Sequence, residues 1–333
     1  MTKKVLVTGA AGFIGSQLLG HLHLQGHRVA GCDLVSLDGV GAHPAEPLLT
    51  RLRKERLAEF STRNGIPYFQ MDIGAEDAFS QVLNQWQPDT VVHLAAQAGV
   101  RHSMQAPLDF VTPNLVGFAR VLDACHRHQI PRLLYASSSS VYGLRSQVPF
   151  LESDRTDQPQ SFYAATKQAN EAMAYAYHAQ YAMGSIGMRF FTVYGPWGRT
   201  DMAPFLFAQN MRRHQPIKVF GEGKLLRDFT YVADIVEAIG KLVSPSDKLT
   251  APSIVNMGHQ RPVQVNTFVE LLAKHLNVKP IIEYAPMQAA DVAVTCASED
   301  RLLAMIGSWG ETPLDQGLGH FVQWLEAWEP VGS

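Results

Sequence analysis

Short apolar runs alternating with amphipathic stretches fill the first half of the chain. Strand patterns fall at 3–8, 28–33, 67–71, 90–94, 132–137 and 185–191, and helical periodicity predicts helices near 13–25, 75–85, 115–128 and 161–182. Such alternation implies an α/β fold with a doubly wound parallel sheet and right-handed crossovers. Residues 38–65 break the rhythm with a loop, Gly39-Val40-Gly41-Ala42-His43-Pro44, and a basic helical stretch at 48–60. That stretch reads as an insertion on the solvated side. After Tyr194-Gly195-Pro196-Trp197-Gly198 the pattern turns irregular, and only 234–242 and 253–257 look like a helix and a strand returning to the sheet.

The first strand runs directly into Gly9-Ala10-Ala11-Gly12-Phe13-Ile14-Gly15, and a helical pattern follows. A strand, a glycine-rich turn and a helix form the phosphate-binding start of a dinucleotide fold. Gly9 would make the tight turn, Gly12 would let the backbone approach a pyrophosphate, and Gly15 would pack helix on strand. The helix amino terminus offers unpaired N–H groups and a positive dipole end. Asp33 ends the second strand, 18 residues after Gly15. A carboxylate there hydrogen-bonds the adenosine ribose and repels a 2′-phosphate, which favours NAD over NADP.

Composition narrows the class. With 333 residues, 46% of them hydrophobic and 17% charged, the chain suits a well-buried globular enzyme. A net charge of −2 supplies no general field for nucleic acid or an anionic membrane, so neither is an expected partner and any phosphate site must be local. Cys32, Cys125 and Cys296 lack metal-ligand spacing and read as buried thiols. His21 and His23, like His126 and His128, are two apart in helical patterns and face different ways, so no metal site is expected. His93 reads as a packed, hydrogen-bonded strand residue. The chain enters a strand at once, with no signal-peptide core and no run of 18 apolar residues, and reads as cytoplasmic.

The candidate chemistry lies between 137 and 167. Ser137-Ser138-Ser139-Ser140-Val141-Tyr142-Gly143 follows an apolar strand pattern, which places its hydroxyls at a strand's carboxyl end, where open α/β sheets bind ligands. Tyr163 and Lys167 are four apart in an alanine-rich helical pattern and share one face. An ammonium beside a phenol favours the phenolate, which makes a tyrosine usable for proton transfer near neutral pH.

GAAGFIG, AAQAGVRHS (95–103), ASSSSVYG (136–143), YAATK (163–167), RFFTVYGPWGRTDM (189–202) and RDFTYVADIV (227–236) together cover most of the chain. In these segments it resembles the extended short-chain dehydrogenases/reductases, and within them the UDP-glucuronate 4-epimerases. The resemblance implies an NAD-binding Rossmann domain at 1–191 plus 228–258 and a smaller mixed α/β lid for a UDP-sugar at 192–227 plus 259–330. It implies that Tyr163 takes the proton from the sugar C4 hydroxyl while NAD takes the hydride. Lys167 would bind the nicotinamide ribose, and Ser138 would bridge phenol and substrate. Cofactor contacts are implied for Gly9, Gly12, Phe13, Ile14, Gly15, Asp33, Asp72, Ile73, Ala95, Ala96, Gln97, Asn114 and Ser137. Substrate contacts are implied for Ser139, Thr192, Val219, Phe220, Arg227, Gln288 and Asp291.

Related dehydratases carry an Asp-Glu pair before VYG and related decarboxylases a Glu, and this chain has Ser139-Ser140 there. Arg199 bears on the substrate. Oxidising C4 of a uronic acid gives a β-keto acid, and a bidentate guanidinium can hold its carboxylate against decarboxylation. The bland alternative is a surface arginine paired with Asp201, which would suit a 4-epimerase of a neutral UDP-hexose. A non-catalytic NAD sensor is the third reading, disfavoured by the intact Tyr163, Lys167 and Ser138. His102 stands where the family has tyrosine. The stretch after Asp33 and that at 293–296 also depart from its pattern. Ala165, Ala169, Ala172, Ala176 and Ala179 lie on or near one side of their helix, and family members pair such helices across a two-fold, so a homodimer is expected.

Overall fold

The computed structural model describes residues 2–35, 47–245, 249–287 and 291–329. The loop at 39–44 and Gln288 lie outside them. The first half alternates as the sequence pattern implies: β1 (Lys4–Thr8), α1 (Phe13–Leu24), β2 (Arg28–Asp33), α2 (Pro47–Leu57), β3 (Tyr68–Gln70), α3 (Ala78–Trp86) and β4 (Thr90–His93). Then come α4 (Val100–Gln105), α5 (Gly117–Arg127), β5 (Arg132–Ser138), α6 (Phe162–Tyr181) and β6 (Ser185–Phe190). The second half has β7 (Thr192–Tyr194), α7 (Ala203–Arg212), β8 (Ile217–Phe220), β9 (Leu226–Tyr231), α8 (Val232–Val243) and β10 (Pro252–Met257). It closes with β11 (Pro262–Gln264), α9 (Val265–Leu276), β12 (Ile282–Ala285), α10 (Asp300–Ile306) and α11 (Leu314–Trp328).

Seven strands form one sheet in the order β10-β6-β5-β4-β1-β2-β3. The pairs β1–β2, β1–β4, β2–β3, β4–β5 and β5–β6 are all parallel. Chain order reverses between β1 and β4, which makes the carboxyl ends of these strands the switch point where such sheets take ligands. Parallel strands are covered on both faces, hence their uninterrupted apolar runs. Leu6, Val91 and Leu133 from three central strands join Phe118, Val121 and Leu122 of α5 in one buried cluster. Burial of side chains of this size contributes roughly 1.5–3 kcal/mol each.

Two compact units emerge: Met1–Gly143, Asp154–Phe190 and Val236–Val255 in the first, and Leu144–Ser153, Phe191–Ile235 and Asn256–Ser333 in the second. The expected domain at 1–191 plus 228–258 differs from the first unit at 144–153, 191, 228–235 and 256–258. Leu144–Ser153 groups with the second unit, where Phe150 bridges to Ala297. The segment 228–235 does so too, because β9 pairs with β7 and β11 in a three-stranded sheet of its own. Within the second unit β8 and β12 form a parallel pair. Phe268, Leu272, Leu318 and Phe321 are buried there, and Trp324 stacks on Trp328 at 5.4 Å.

One expectation fails. The basic stretch at 48–60 is not a solvated insertion: Leu52, Arg56 and Leu57 are buried. The helix carries an apolar edge, and Leu57 joins Ala11, Val35 and the partly buried Tyr68 in a small cluster. Arg56 donates from a guanidinium nitrogen to the main-chain oxygen of Ala11, 3.1 Å away. Charge counting along a helix overlooks this arrangement, because a long cationic side chain can be buried when its head finds a carbonyl.

Candidate active site

The glycines of the turn have no room for side chains. Gly9 has φ +72°, and a Cβ there would lie 2.7 Å from the Ala95 nitrogen. A Cβ on Gly15 would lie 2.2 Å from the Gly9 oxygen. The turn therefore closes tightly on the end of β4 and seats the first turn of α1 against it. No side chain caps α1, which begins at Gly12 in an extended conformation. Its amino terminus keeps N–H groups of the kind that bind phosphate. Phe13 is buried and Ile14 half-buried. Asp33 is fixed beside this turn, accepting from Ala11 N (3.0 Å) and Leu34 N (2.7 Å). A turn with three glycines that lack space for a Cβ, an uncapped helix and a held carboxylate fit a dinucleotide with a free 2′-hydroxyl.

The neighbouring wall is braced rather than loose. Asn114 accepts from Gln97 N (2.8 Å) and donates to Gln97 O and Thr166 Oγ1 (3.0 Å each), so its amide is spent on holding Ala95-Ala96-Gln97 against α6. Asp72 accepts from Gly74 N at 2.8 Å, and Ile73 is buried in the main core. Thr8 and His93 hydrogen-bond at 2.8 Å through Oγ1 and Nδ1, and His93 stacks on Phe118, as its strand pattern led us to expect. Burial, with Lys167 nearby, pushes the His93 pKa down to about 3. All three cysteines are buried free thiols.

The catalytic candidates sit on two adjoining elements. Ser161 caps α6, its Oγ accepting from Ala164 N at 3.1 Å, so the helix starts just before Tyr163. Tyr163 is half-buried, with Phe110 edge-on to its ring at 6.1 Å. One turn on, Lys167 is 3% exposed and donates to Ala136 O at 2.9 Å. Burial pulls its pKa down to about 8. Ser138 ends β5, and its Oγ accepts from Ser140 N and donates to Ser140 Oγ, both at 3.2 Å. Ser137 donates its hydroxyl to Glu171 Oε1 at 2.5 Å.

Sequence reasoning missed the pair behind these residues. Arg189 grips Glu171 through Nε (2.9 Å) and a terminal nitrogen (2.7 Å). Burial works to lower the Arg189 pKa, but the hydrogen bonds and charge of Glu171, together with Tyr142, leave it raised. A signal was present: Tyr163, Lys167 and Glu171 follow one another at four-residue steps on one helix face.

The second unit carries the remaining candidates. Arg199 leaves a turn in which Trp197 has φ +60°, and it forks onto Asp201 through Nε (2.9 Å) and a terminal nitrogen (2.6 Å). Arg227 donates to Leu226 O and Val292 O at 2.9 Å each and lies 3.6 Å from Asp291. Burial lowers its pKa, while Asp291 opposes the shift. Val219 is buried, whereas Phe220 and Thr192 are half-buried. Asp228, not foreseen, accepts from the backbone nitrogens of His259, Gln260 and Ala297 and so ties three segments together.

The family model described as the NAD dependent epimerase/dehydratase family matches residues 5–258. The chain belongs to this family. Protein CapI of Staphylococcus aureus is 39% identical over 96% of this chain and 98% of its own length. The probable UDP-glucuronate 4-epimerase of Rhizobium meliloti is 37% identical over 97% of both chains. Among solved structures, the UDP-glucuronic acid 4-epimerase of Bacillus cereus, in complex with UDP-glucuronic acid and NAD, aligns with a TM-score of 0.86 at 27% identity. That alignment covers 98% of this chain and 99% of the other. As a member of the epimerase/dehydratase family, the chain is an NAD-dependent enzyme. Among the described residues, no helix is long and apolar enough to cross a membrane.

Proposed function

We propose that this enzyme epimerises C4 of UDP-glucuronate to give UDP-galacturonate through a 4-keto sugar. The observation that carries the reading is the full-length similarity to a probable UDP-glucuronate 4-epimerase, 37% identical over 97% of both chains. Arg199 pairs with Asp201, an arrangement that a neutral-hexose enzyme would share, and in the uronic acid reading its fork exchanges that carboxylate for the substrate's.

NAD, when bound, would supply the hydride acceptor for C4 and the hydride donor for the opposite face of the ketone. The glycine-rich turn and α1 bind its diphosphate, and Asp33 reads the ribose hydroxyls. Tyr163, as phenolate, takes the C4 hydroxyl proton during oxidation and gives it back after the sugar has turned over. Lys167 keeps that phenol acidic. Ser138 shares the proton in flight and holds the C4 oxygen. Arg227, with Asp291 beside it, binds the diphosphate of the UDP group, and Arg199 fixes the sugar carboxylate. Ser139 and Ser140 place no acid where elimination would need one, which disfavours dehydration.

The direct test is incubation of purified protein with UDP-glucuronate and no added NAD. UDP-galacturonate should form, and Tyr163→Phe should lower turnover by about 10²–10⁴-fold while NAD binding survives. Conversion of UDP-glucose in preference to UDP-glucuronate would move the activity to the neutral hexoses.

We also infer a homodimer built on α5 and α6. Ala172, Ala176 and Ala179 are exposed, and Tyr175 and Tyr181 on the same helix are 65% and 42% exposed. Small residues permit close helix approach, and apolar rings left in water favour a second copy. Light scattering at micromolar concentration should give twice the chain mass.

A further inference from the structure

Ser138 is a good catalytic hydroxyl only if it stays at a fixed distance from Tyr163, and these residues lie on different elements. Ser138 ends β5, and Tyr163 opens α6 after an intervening stretch of chain. Lys167 joins the two elements below Ser138 through Ala136 O. The second joint is the Glu171–Arg189 pair. In the parallel register of β5 and β6, Ser137 lies beside Arg189 and Ser138 beside Phe190. Strand alternation turns Ser137 and Ser138 to opposite faces. Ser137 therefore meets Glu171 on the α6 side, at 2.5 Å, in company with Arg189. Arg189 also places its guanidinium over the Tyr142 ring, 4.7 Å from the centroid. Ser137 and Tyr142 are the two ends of the turn that carries Ser138, Ser139 and Ser140. Both ends are thus tied to one ion pair rooted on the helix of Tyr163.

This pair is nearly sealed from water, with side-chain exposures of 4% for Arg189 and 12% for Glu171. Buried ion pairs gain little net stability over apolar residues of similar shape, because both charges must be stripped of water. What such a pair does supply is direction, since a fork on a carboxylate tolerates one geometry.

We infer that Glu171 and Arg189 are positioning residues that clamp the Ser137–Tyr142 turn to α6 and thereby set the reach of Ser138 to Tyr163 and the substrate. The inference rests on the Ser138 and Tyr163 roles proposed above.

The test is a double-mutant cycle on the NAD-bound enzyme with UDP-glucuronate. Glu171→Gln keeps the shape but not the charge, and should lower kcat by about 10²-fold, the usual cost of misplacing a catalytic group by an ångström, with KM nearly unchanged. In a Ser138→Ala background the same change should cost little more, because the group being positioned is gone. A merely structural role would give losses that multiply in the two backgrounds, and that result overturns the inference while leaving Ser138 catalytic. Wild-type kcat for Ser138→Ala alone would remove the Ser138 role, and the inference with it. If Glu171→Gln leaves Arg189 uncompensated and the protein unfolded, Glu171→Gln with Arg189→Met leaves no orphan charge. That pair should fold, bind NAD and show the same non-additive loss with Ser138→Ala. Unimpaired kcat in that folded variant equally overturns the inference.

Discussion

The Lys167 ammonium lies 2.9 Å from the main-chain oxygen of Ala136, two residues before Ser138. One hydrogen bond thus joins the helix of the proposed phenolate to the strand of the proposed hydroxyl. It also explains how a lysine this buried can carry charge at all. Its own pKa has fallen to about 8 through burial, and the carbonyl is the polar partner it retains.

An alkaline limit on activity follows. Above about pH 8 Lys167 loses its proton and ceases to stabilise the Tyr163 phenolate, so kcat/KM for UDP-glucuronate should fall. Stability should move the other way. Between about 8 and its ordinary 10.5 the unfolded chain holds a proton on this lysine that the folded chain has released, so this contribution to stability rises with pH. Activity lost above pH 8 with an undiminished urea midpoint would therefore be catalytic. If kcat/KM stayed level to pH 10, the ammonium would not be what makes Tyr163 acidic.

Asp33 makes the cofactor prediction. Its carboxylate is oriented by Ala11 N and Leu34 N, and the proposed ribose contact follows from that placement. NAD should bind much more tightly than NADP, and Asp33→Ala should narrow that ratio by weakening NAD and removing repulsion from a 2′-phosphate. Titration of both cofactors reads the ratio directly. An unchanged preference would assign ribose reading to another residue.

His93 sets an acid limit on stability. Folded, it stays neutral down to about pH 3, whereas its ordinary pKa is 6.5. Below 6.5 the unfolded chain takes up a proton that the folded chain refuses, so stability falls as pH drops from 6.5 toward 3. His93→Gln should flatten the denaturation midpoint across that window, at the cost of some stability near pH 7 from the altered packing on Phe118. An equally steep acid loss in the variant would place the responsible group elsewhere.

Much of the first unit was legible in the chain because its signals are local. Buried parallel strands are bare apolar runs, Gly9 and Gly15 have no space for a Cβ, and Tyr163 and Lys167 sit at helical spacing. What escaped notice depends on tertiary partners. Arg56 looks like one more cation on a basic helix until Ala11 O appears beside it. Asn114 reads as a cofactor contact in the sequence, and only the structure shows that its amide also braces Gln97 and Thr166. Glu171 looks like a helix surface acid until Arg189 arrives from β6. The pairing of β9 with β7 and β11 is likewise set by non-local hydrogen bonds, which no local pattern encodes.

Arg199 and Asp201 give the sharpest test of substrate. The fork is paired with Asp201, whose side chain is 61% exposed. If Arg199 holds the substrate as proposed, a uronic acid carboxylate displaces Asp201, whereas a neutral hexose gains nothing by doing so. Arg199→Ala should therefore weaken UDP-glucuronate far more than UDP-glucose, by about 1.5–3 kcal/mol, the range for hydrogen bonds to a charged group. Asp201→Ala should have the opposite effect, opening the fork and lowering KM for the acid alone. Arg199→Ala should also leak. With its carboxylate free to rotate into line with the C4 ketone, some 4-keto intermediate should lose CO₂ to give a UDP-4-keto-pentose, visible by mass. Arg199→Lys keeps the charge without the fork and should leak less than alanine but more than the native residue. Equal losses for acid and neutral sugar, with no decarboxylated product, would remove Arg199 from the substrate site and favour a neutral UDP-hexose.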